Sequence, residues 1–349
     1  TIITYAYETG RNKENGIDVI RVGRKQNIFL RYFCYFKWII YLKKEFDIIF
    51  VQDPVSAGVP VWLASKITRK PYVLKVVGDY AWEQGTQRFG VQDTVDDFQK
   101  KKYVFVVEFM RWLQKRVAKS AKKIIVPSNY LKKIVSYWGD DTDKIKVIYN
   151  ALDPICVKKI KEVIRKEKNM TGFVVVSIAR LVPWKGFLTL IDAVKECRDG
   201  GKDVTLFIGG DGPERKKIQN YIEKLGLEKN IIMLGRLAHD DVLEYLKGAD
   251  IFALNTQYEG LSHLLLEATM VGLPILTTHV GGNPEVVLDN VNGLLVLYND
   301  THAFVQKICE MYDTHFEYDH VKRDVLLQKF DKQKTRDQLV EELKIDIII

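Results

Sequence analysis

At 349 residues the chain exceeds what one ordinary core supports and suits two domains of typical size. A hydrophobic fraction of 47% with 28% charged residues excludes disordered and fibrous classes. Four scattered cysteines, Cys34, Cys156, Cys197 and Cys309, exclude a disulfide scaffold or a Cys-x-x-Cys zinc site, and the net charge of +8 favours contact with an anionic nucleotide, nucleic acid or membrane.

From the start, Thr1–Tyr5 reads as a buried strand with no initiating Met, so a first strand and loop are expected upstream and the first domain is expected to be truncated. The stretch Phe29 to Lys44 mixes Arg31, Lys37, Lys43 and Lys44 with aromatic residues. It suits either a helix packed on the first sheet or a surface lying on an anionic membrane. Apolar, β-rich runs at 48–52, 72–77, 123–127 and 146–149 alternate with helix-length segments, and the pattern resumes at 173–178, 204–209, 231–234, 251–254 and 274–277. That alternation predicts two α/β domains with parallel sheets, at 1–152 and 172–330, joined by a Lys- and Glu-rich connector at 153–171. A last helical pattern, Gln333 to Leu343, falls in the remaining segment 331–349 and could pack on either domain. No apolar run approaches the roughly 20 residues that span a bilayer, and the beginning lacks the layout of a signal peptide. The expected location is therefore cytoplasmic.

The chemistry concentrates in the second half. Glu259 and Glu267 flank a strand-to-helix junction that reads Tyr258-Glu259-Gly260-Leu261-Ser262-His263, followed by Gly272-Leu273-Pro274 and Gly281-Gly282-Asn283-Pro284-Glu285. In an open α/β sheet, ligands bind beyond the carboxyl ends of the strands, which puts Glu259 in a loop over that crevice and Glu267 on the next helix. Either carboxylate alone suits a helix-dipole complement or a solvated face as well as a site. With Gly260, Leu261 and Ser262 opening the helix and Gly281 and Gly282 in a flexible turn, backbone N–H groups can hold a pyrophosphate while the carboxylates meet sugar and ribose hydroxyls. Arg180 and Lys185, after the strand at 173–178, supply two cations able to neutralise a departing nucleoside diphosphate without a metal. Neither is expected to pack in a core. The Gly209-Gly210-Asp211-Gly212-Pro213 turn lies near the same crevice.

These motifs resemble glycosyltransferase family 4, the glycosyl transferases group 1 family, over about residues 48–343. The resemblance implies the GT-B architecture of two Rossmann-like domains facing a central cleft, with an acceptor side in the first and a nucleotide-sugar donor site in the second. It further implies that Arg180 and Lys185 contact the donor diphosphate, Glu267 the ribose and Glu259 the transferred sugar, and that Gly281 and Gly282 form the turn whose backbone approaches the donor. Members retain anomeric configuration and generally need no metal or other cofactor. Tyr149-Asn150-Ala151-Leu152-Asp153 stands where the family has Asn-Gly-Val-Asp, and no His follows Lys75-Val76-Val77. Asp79 or Glu83 supplies that polar contact, or the acceptor class does without it.

The implied substrates are a UDP- or GDP-linked hexose and a glycan or lipid-linked acceptor, with the inner membrane face as a further contact. A silent GT-B binding module and a nucleotide-sugar epimerase of related fold are the alternatives. Asp141-Thr142-Asp143 is expected to be a polar turn and His315 to His320 a solvated segment, not metal sites. No Walker A motif and no Gly-x-Gly-x-x-Gly occur, so phosphoryl and hydride transfer have no support, and no nucleic acid partner is expected.

Overall fold

The structure, a computed structural model, describes residues 1–139, 141–314 and 316–344. It divides into two compact units, Tyr149–Arg336 and a unit made of Thr1–Ile148 with the chain from Asp337 onward.

In the first unit, β1 (Ile2–Ala6) runs parallel to β3 (Ile17–Gly23), and β2 (Gly10–Glu14) pairs antiparallel with β3. The β2–β3 hairpin closes on Asn15-Gly16, both at positive φ, as a two-residue turn requires. A second sheet holds β4 (Ile49–Val51), β5 (Tyr72–Lys75), β6 (Lys123–Val126) and β7 (Ile145–Val147) side by side and parallel. The expected strand at the start forms, but it is half-exposed rather than buried.

Helix Gly58–Thr68 connects β4 to β5, and helix Phe105–Ser120 leads into β6. Val73, Ile125 and Ile148 pack against Leu339 and Leu343 of the last helix, Lys332–Lys344. Lys123 secures that helix through an ion pair with Glu342 at 2.7 Å. The terminal helix therefore adds to the core of the first unit, a choice its sequence left open.

In the second unit, β8 (Phe173–Ile178), β9 (Val204–Gly209), β10 (Ile231–Gly235), β11 (Ile251–Leu254), β12 (Ile275–Thr278) and β13 (Gly293–Val296) form one parallel sheet. Their spatial order is β10-β9-β8-β11-β12-β13. These strands are apolar on both faces because helices cover both. Val175, Leu206 and Ile208 face helices Phe187–Asp199, Arg215–Leu225 and Thr301–Thr314, whereas Val174, Val176 and Phe207 face His239–Gly248 and His263–Val271.

The connector expected at 153–171 carries a helix, Lys161–Glu167, that belongs to this second unit. Ile164 is buried beside Met170, and Arg165 bonds Gly248 O at 2.9 Å and pairs with Asp250. The strand order reverses between β8 and β11, and that reversal opens a crevice at their carboxyl ends.

Candidate active site

At the end of β8 the chain leaves the sheet through Arg180, which is exposed, and then Leu181 and Val182, which are buried. One tight turn, Pro183–Lys185, follows, and Gly186 leaves it in the left-handed region at φ 45°. The loop after β11 is locked onto this turn. Gln257 N donates to Trp184 O at 2.8 Å, Thr256 Oγ1 to the same oxygen at 3.3 Å, and Asn255 Nδ2 to Gly186 O at 2.9 Å. Asn255 and Thr256 are almost wholly buried, and most of their hydrogen bonds fix loop backbone, while Asn255 Nδ2 also donates to Asn299 Oδ1 at 2.9 Å. Neither residue had been singled out, although an Asn-Thr pair directly after an apolar strand was the available sign.

The lock brings the two charged loops together. Lys185 Nζ donates to Glu259 Oε1 in an ion pair, with Lys185 buried and Glu259 half-buried. Burial of Lys185 departs from the expectation that both cations stand clear of packing: its turn is bonded to the β11 loop, and its ammonium pairs with Glu259 on that loop. Arg180 alone is solvent-facing.

Glycine lets the neighbouring loops approach. Gly281 sits at φ 57°, and a Cβ there would lie 2.1 Å from Glu259 O. Gly282 N donates to that same oxygen at 2.9 Å, so the expected Gly281–Gly282 turn is built directly on the Glu259 backbone. Gly210, at φ 126°, donates its N–H to Gly235 O at 2.7 Å, and a Cβ would strike Ala179 O beside Arg180.

Glu267 lies on helix His263–Val271, which Ser262 caps by accepting from Leu265 N at 3.4 Å. Gly260 and Leu261 are buried just before it. Glu267 is only 6% exposed, and its Oε2 has no hydrogen-bond donor among the described residues. Its Oε1 stands 3.8 Å from His239 Nδ1. Burial raises the carboxyl above the ordinary glutamate range, and the nearby His239 opposes that rise. A buried acceptor lacking a donor is the chemistry that a ligand hydroxyl satisfies. His239 was not foreseen, because it reaches Glu267 from a neighbouring helix on the same face of the sheet.

The Lys185–Glu259 ion pair and close-approach glycines thus stand together at one strand-order switch, with Arg180 on the same loop as Lys185 and Glu267 on the helix after Glu259. The model of the glycosyl transferases group 1 family matches residues 158–323, and that of glycosyltransferase family 4 matches residues 1–155. The chain belongs to glycosyltransferase family 4. Among its relatives, the Escherichia coli UDP-Gal:alpha-D-GlcNAc-diphosphoundecaprenol alpha-1,3-galactosyltransferase is 27% identical over 323 residues, covering 88% of this chain and 78% of that protein. HepE of Anabaena, solved with UDP and glucose, superposes with a TM-score of 0.77 at 23% identity over 94% of this chain and 86% of its own. Sucrose-phosphate synthase of Thermosynechococcus elongatus gives 0.79 at 16% identity over 98% and 88%. The fold is GT-B.

Within this glycosyltransferase, the first unit's candidates stand differently. Asp79 is fully buried and caps helix Tyr80–Arg88, accepting from Trp82 N at 3.0 Å, Gln114 Nε2 at 3.0 Å and Gln99 Nε2 at 2.8 Å. Both its oxygens are engaged inside the unit, which leaves it a structural role rather than a place open to an acceptor. Glu83 is half-buried in the first turn of the same helix. Asp141 caps a single turn by accepting from Asp143 N at 3.0 Å. His315 lies outside the described residues.

Proposed function

We propose that this glycosyltransferase takes a hexose from a UDP- or GDP-linked donor and passes it, with retention of anomeric configuration and without a metal, to a glycan or lipid-linked acceptor. The observation that carries the reading is the Lys185–Glu259 ion pair at the β8–β11 switch, with the buried, donor-lacking oxygen of Glu267 on the helix that follows the β11 loop. Glu267 accepts from the ribose hydroxyls, Glu259 and the Gly281–Gly282 turn position the hexose, and Arg180 and Lys185 hold the diphosphate.

In the reaction the bond between anomeric carbon and diphosphate oxygen breaks. The acceptor oxygen bonds the same carbon on the same face, and its proton passes to the departing diphosphate. Negative charge grows on that leaving group, where the two cations stabilise it most. The UDP and glucose in the HepE crystals and the lipid diphosphate in the name of the Escherichia coli relative support the donor and acceptor classes. No helix among the described residues is long and apolar enough to cross a membrane. A lipid-borne acceptor would then be met at the cytoplasmic surface of an anionic bilayer.

The test is a thermal-shift screen of UDP- and GDP-hexoses, followed by NMR of the product anomer. A rise in melting temperature with one donor and a retained anomer is expected. No shift at millimolar ligand refutes the donor site, and free nucleotide with an altered sugar indicates an epimerase.

A further inference from the structure

We infer that one helical face of the first unit docks on an anionic phospholipid bilayer, anchored by Phe105, Phe109 and Trp112. The inference builds on the membrane-borne acceptor proposed above, but its observations lie wholly in the first unit.

Helix Phe105–Ser120 turns a stripe at i, i+4 and i+7 outward: Phe105 is 82% exposed, Phe109 48% and Trp112 49%. The rings stack along the helix, with centroids 6.4 Å and then 5.8 Å apart. Val104 and Val106 extend the apolar surface at the helix start. Two more turns along the same stripe stand Arg116 and Lys119, both exposed.

The neighbouring helices continue this composition. Gly58–Thr68 packs beside Phe105–Ser120 and exposes Leu63 and Ile67 around Lys66. Ile28–Tyr41 packs beside Gly58–Thr68 and exposes Phe29 and Phe33 near Lys37. The three helices contain one acidic residue, Glu108, and Arg111 pairs with it at 2.7 Å. Lys37, Lys66, Lys115, Arg116 and Lys119 have no carboxylate partner among the described residues.

Exposed aromatic rings flanked by unneutralised cations match the boundary between acyl chains and anionic headgroups, where rings enter and ammonium groups stay at the phosphates. A protein partner of ordinary mixed charge would leave five cations unmatched, so charge complementarity selects the anionic bilayer. The anchor therefore lies chiefly on Phe105–Ser120 rather than on the earlier basic and aromatic stretch alone.

The test is co-sedimentation with vesicles of phosphatidylcholine, alone or mixed with phosphatidylglycerol, at two salt concentrations. Binding to the mixed vesicles that weakens with salt is expected, because each surface cation contributes about fivefold to partition. A F105S/F109S/W112S variant should lose binding more than tenfold, and R116E/K119E should lose the preference for phosphatidylglycerol. Circular dichroism and donor-induced thermal shift should stay unchanged in both variants. Equal recovery on neutral and anionic vesicles, or undiminished binding by the aromatic variant, overturns the inference. So does a dimer in sedimentation velocity that the aromatic substitutions dissolve, since a second copy would then be the occupant. Donor turnover with a water-soluble acceptor is measured separately, so failure of docking is distinguishable from failure of the enzymatic reading.

Discussion

Lys185 and Glu259, 74 residues apart in sequence, meet as an ion pair where adjacent strands β8 and β11 end. The contact lets Lys185 neutralise a half-buried carboxylate, and under the proposed function the same ammonium also meets the donor diphosphate. Arg180, after the same strand, is exposed rather than buried.

Arg180→Ala and Lys185→Ala should each lower kcat about 30- to 1000-fold, the worth of roughly 2–4 kcal/mol of leaving-group stabilisation. Their stabilities should differ. Lys185→Ala leaves Glu259 without its cation and should cost about 1–3 kcal/mol, whereas Arg180→Ala, at an exposed position, should cost less. Adding Glu259→Gln to Lys185→Ala should restore much of the melting temperature but none of the turnover. Wild-type turnover in a folded Arg180→Ala, Lys185→Ala double variant refutes the assignment.

Gly281→Ala should act through Glu259 rather than through the donor itself. The new methyl would meet Glu259 O at 2.1 Å, and the position is at φ 57°, so the turn must shift and carry the carboxylate with it. A loss of about 1–3 kcal/mol in urea unfolding is expected, together with a raised donor KM. Unchanged stability and KM together would show that the turn yields without moving the site.

The charged residues of the candidate site could be singled out because their types and spacing suit a ligand chemistry: two glutamates around a helix start and two cations after a strand. Strands β8, β9 and β11 were legible for a different reason, since runs buried on both faces read as continuous apolar segments. The β2–β3 hairpin was not, because every residue of β2 is exposed and polar or glycine, leaving Asn15-Gly16 as the lone sign. His239 beside Glu267 and the Asn255–Thr256 lock were hidden too. Their contacts depend on which strands become neighbours, and strand order is not carried by periodicity along the chain. The terminal helix was ambiguous in kind, since Leu339 and Leu343 fit any apolar face until Val73 and Ile125 present one.

Asp79→Ala should be a stability variant. It removes the cap of helix Tyr80–Arg88 and leaves the Gln99 and Gln114 amides short of an acceptor. A loss of about 2–4 kcal/mol is expected, with the acceptor KM of the folded fraction little changed at low temperature. A large rise in acceptor KM without loss of stability would place Asp79 at the acceptor instead.

Glu267→Gln should stabilise the ligand-free protein while weakening donor binding. Burial raises the Glu267 carboxyl above its ordinary value, so the folded protein holds this proton to higher pH than the unfolded chain does. Stability from this group is therefore lost as pH rises from the ordinary glutamate range through the folded value, and stays lost above it. Glutamine carries no charge to bury, so the variant should match the wild type in acid. It should exceed the wild type by about 1–2 kcal/mol at neutral pH, where the carboxylate is ionised and its Oε2 lacks a donor. Donor affinity should follow the opposite course. Ribose hydroxyls donate to the ionised carboxylate, so wild-type binding should weaken on acidification through the raised value, while the glutamine variant binds weakly and with a flatter pH dependence. Urea unfolding and donor titration across the acid to neutral range measure both quantities on the same two proteins. A variant less stable than wild type at neutral pH, or one that keeps wild-type donor affinity there, would show that Glu267 serves the fold and not the ribose.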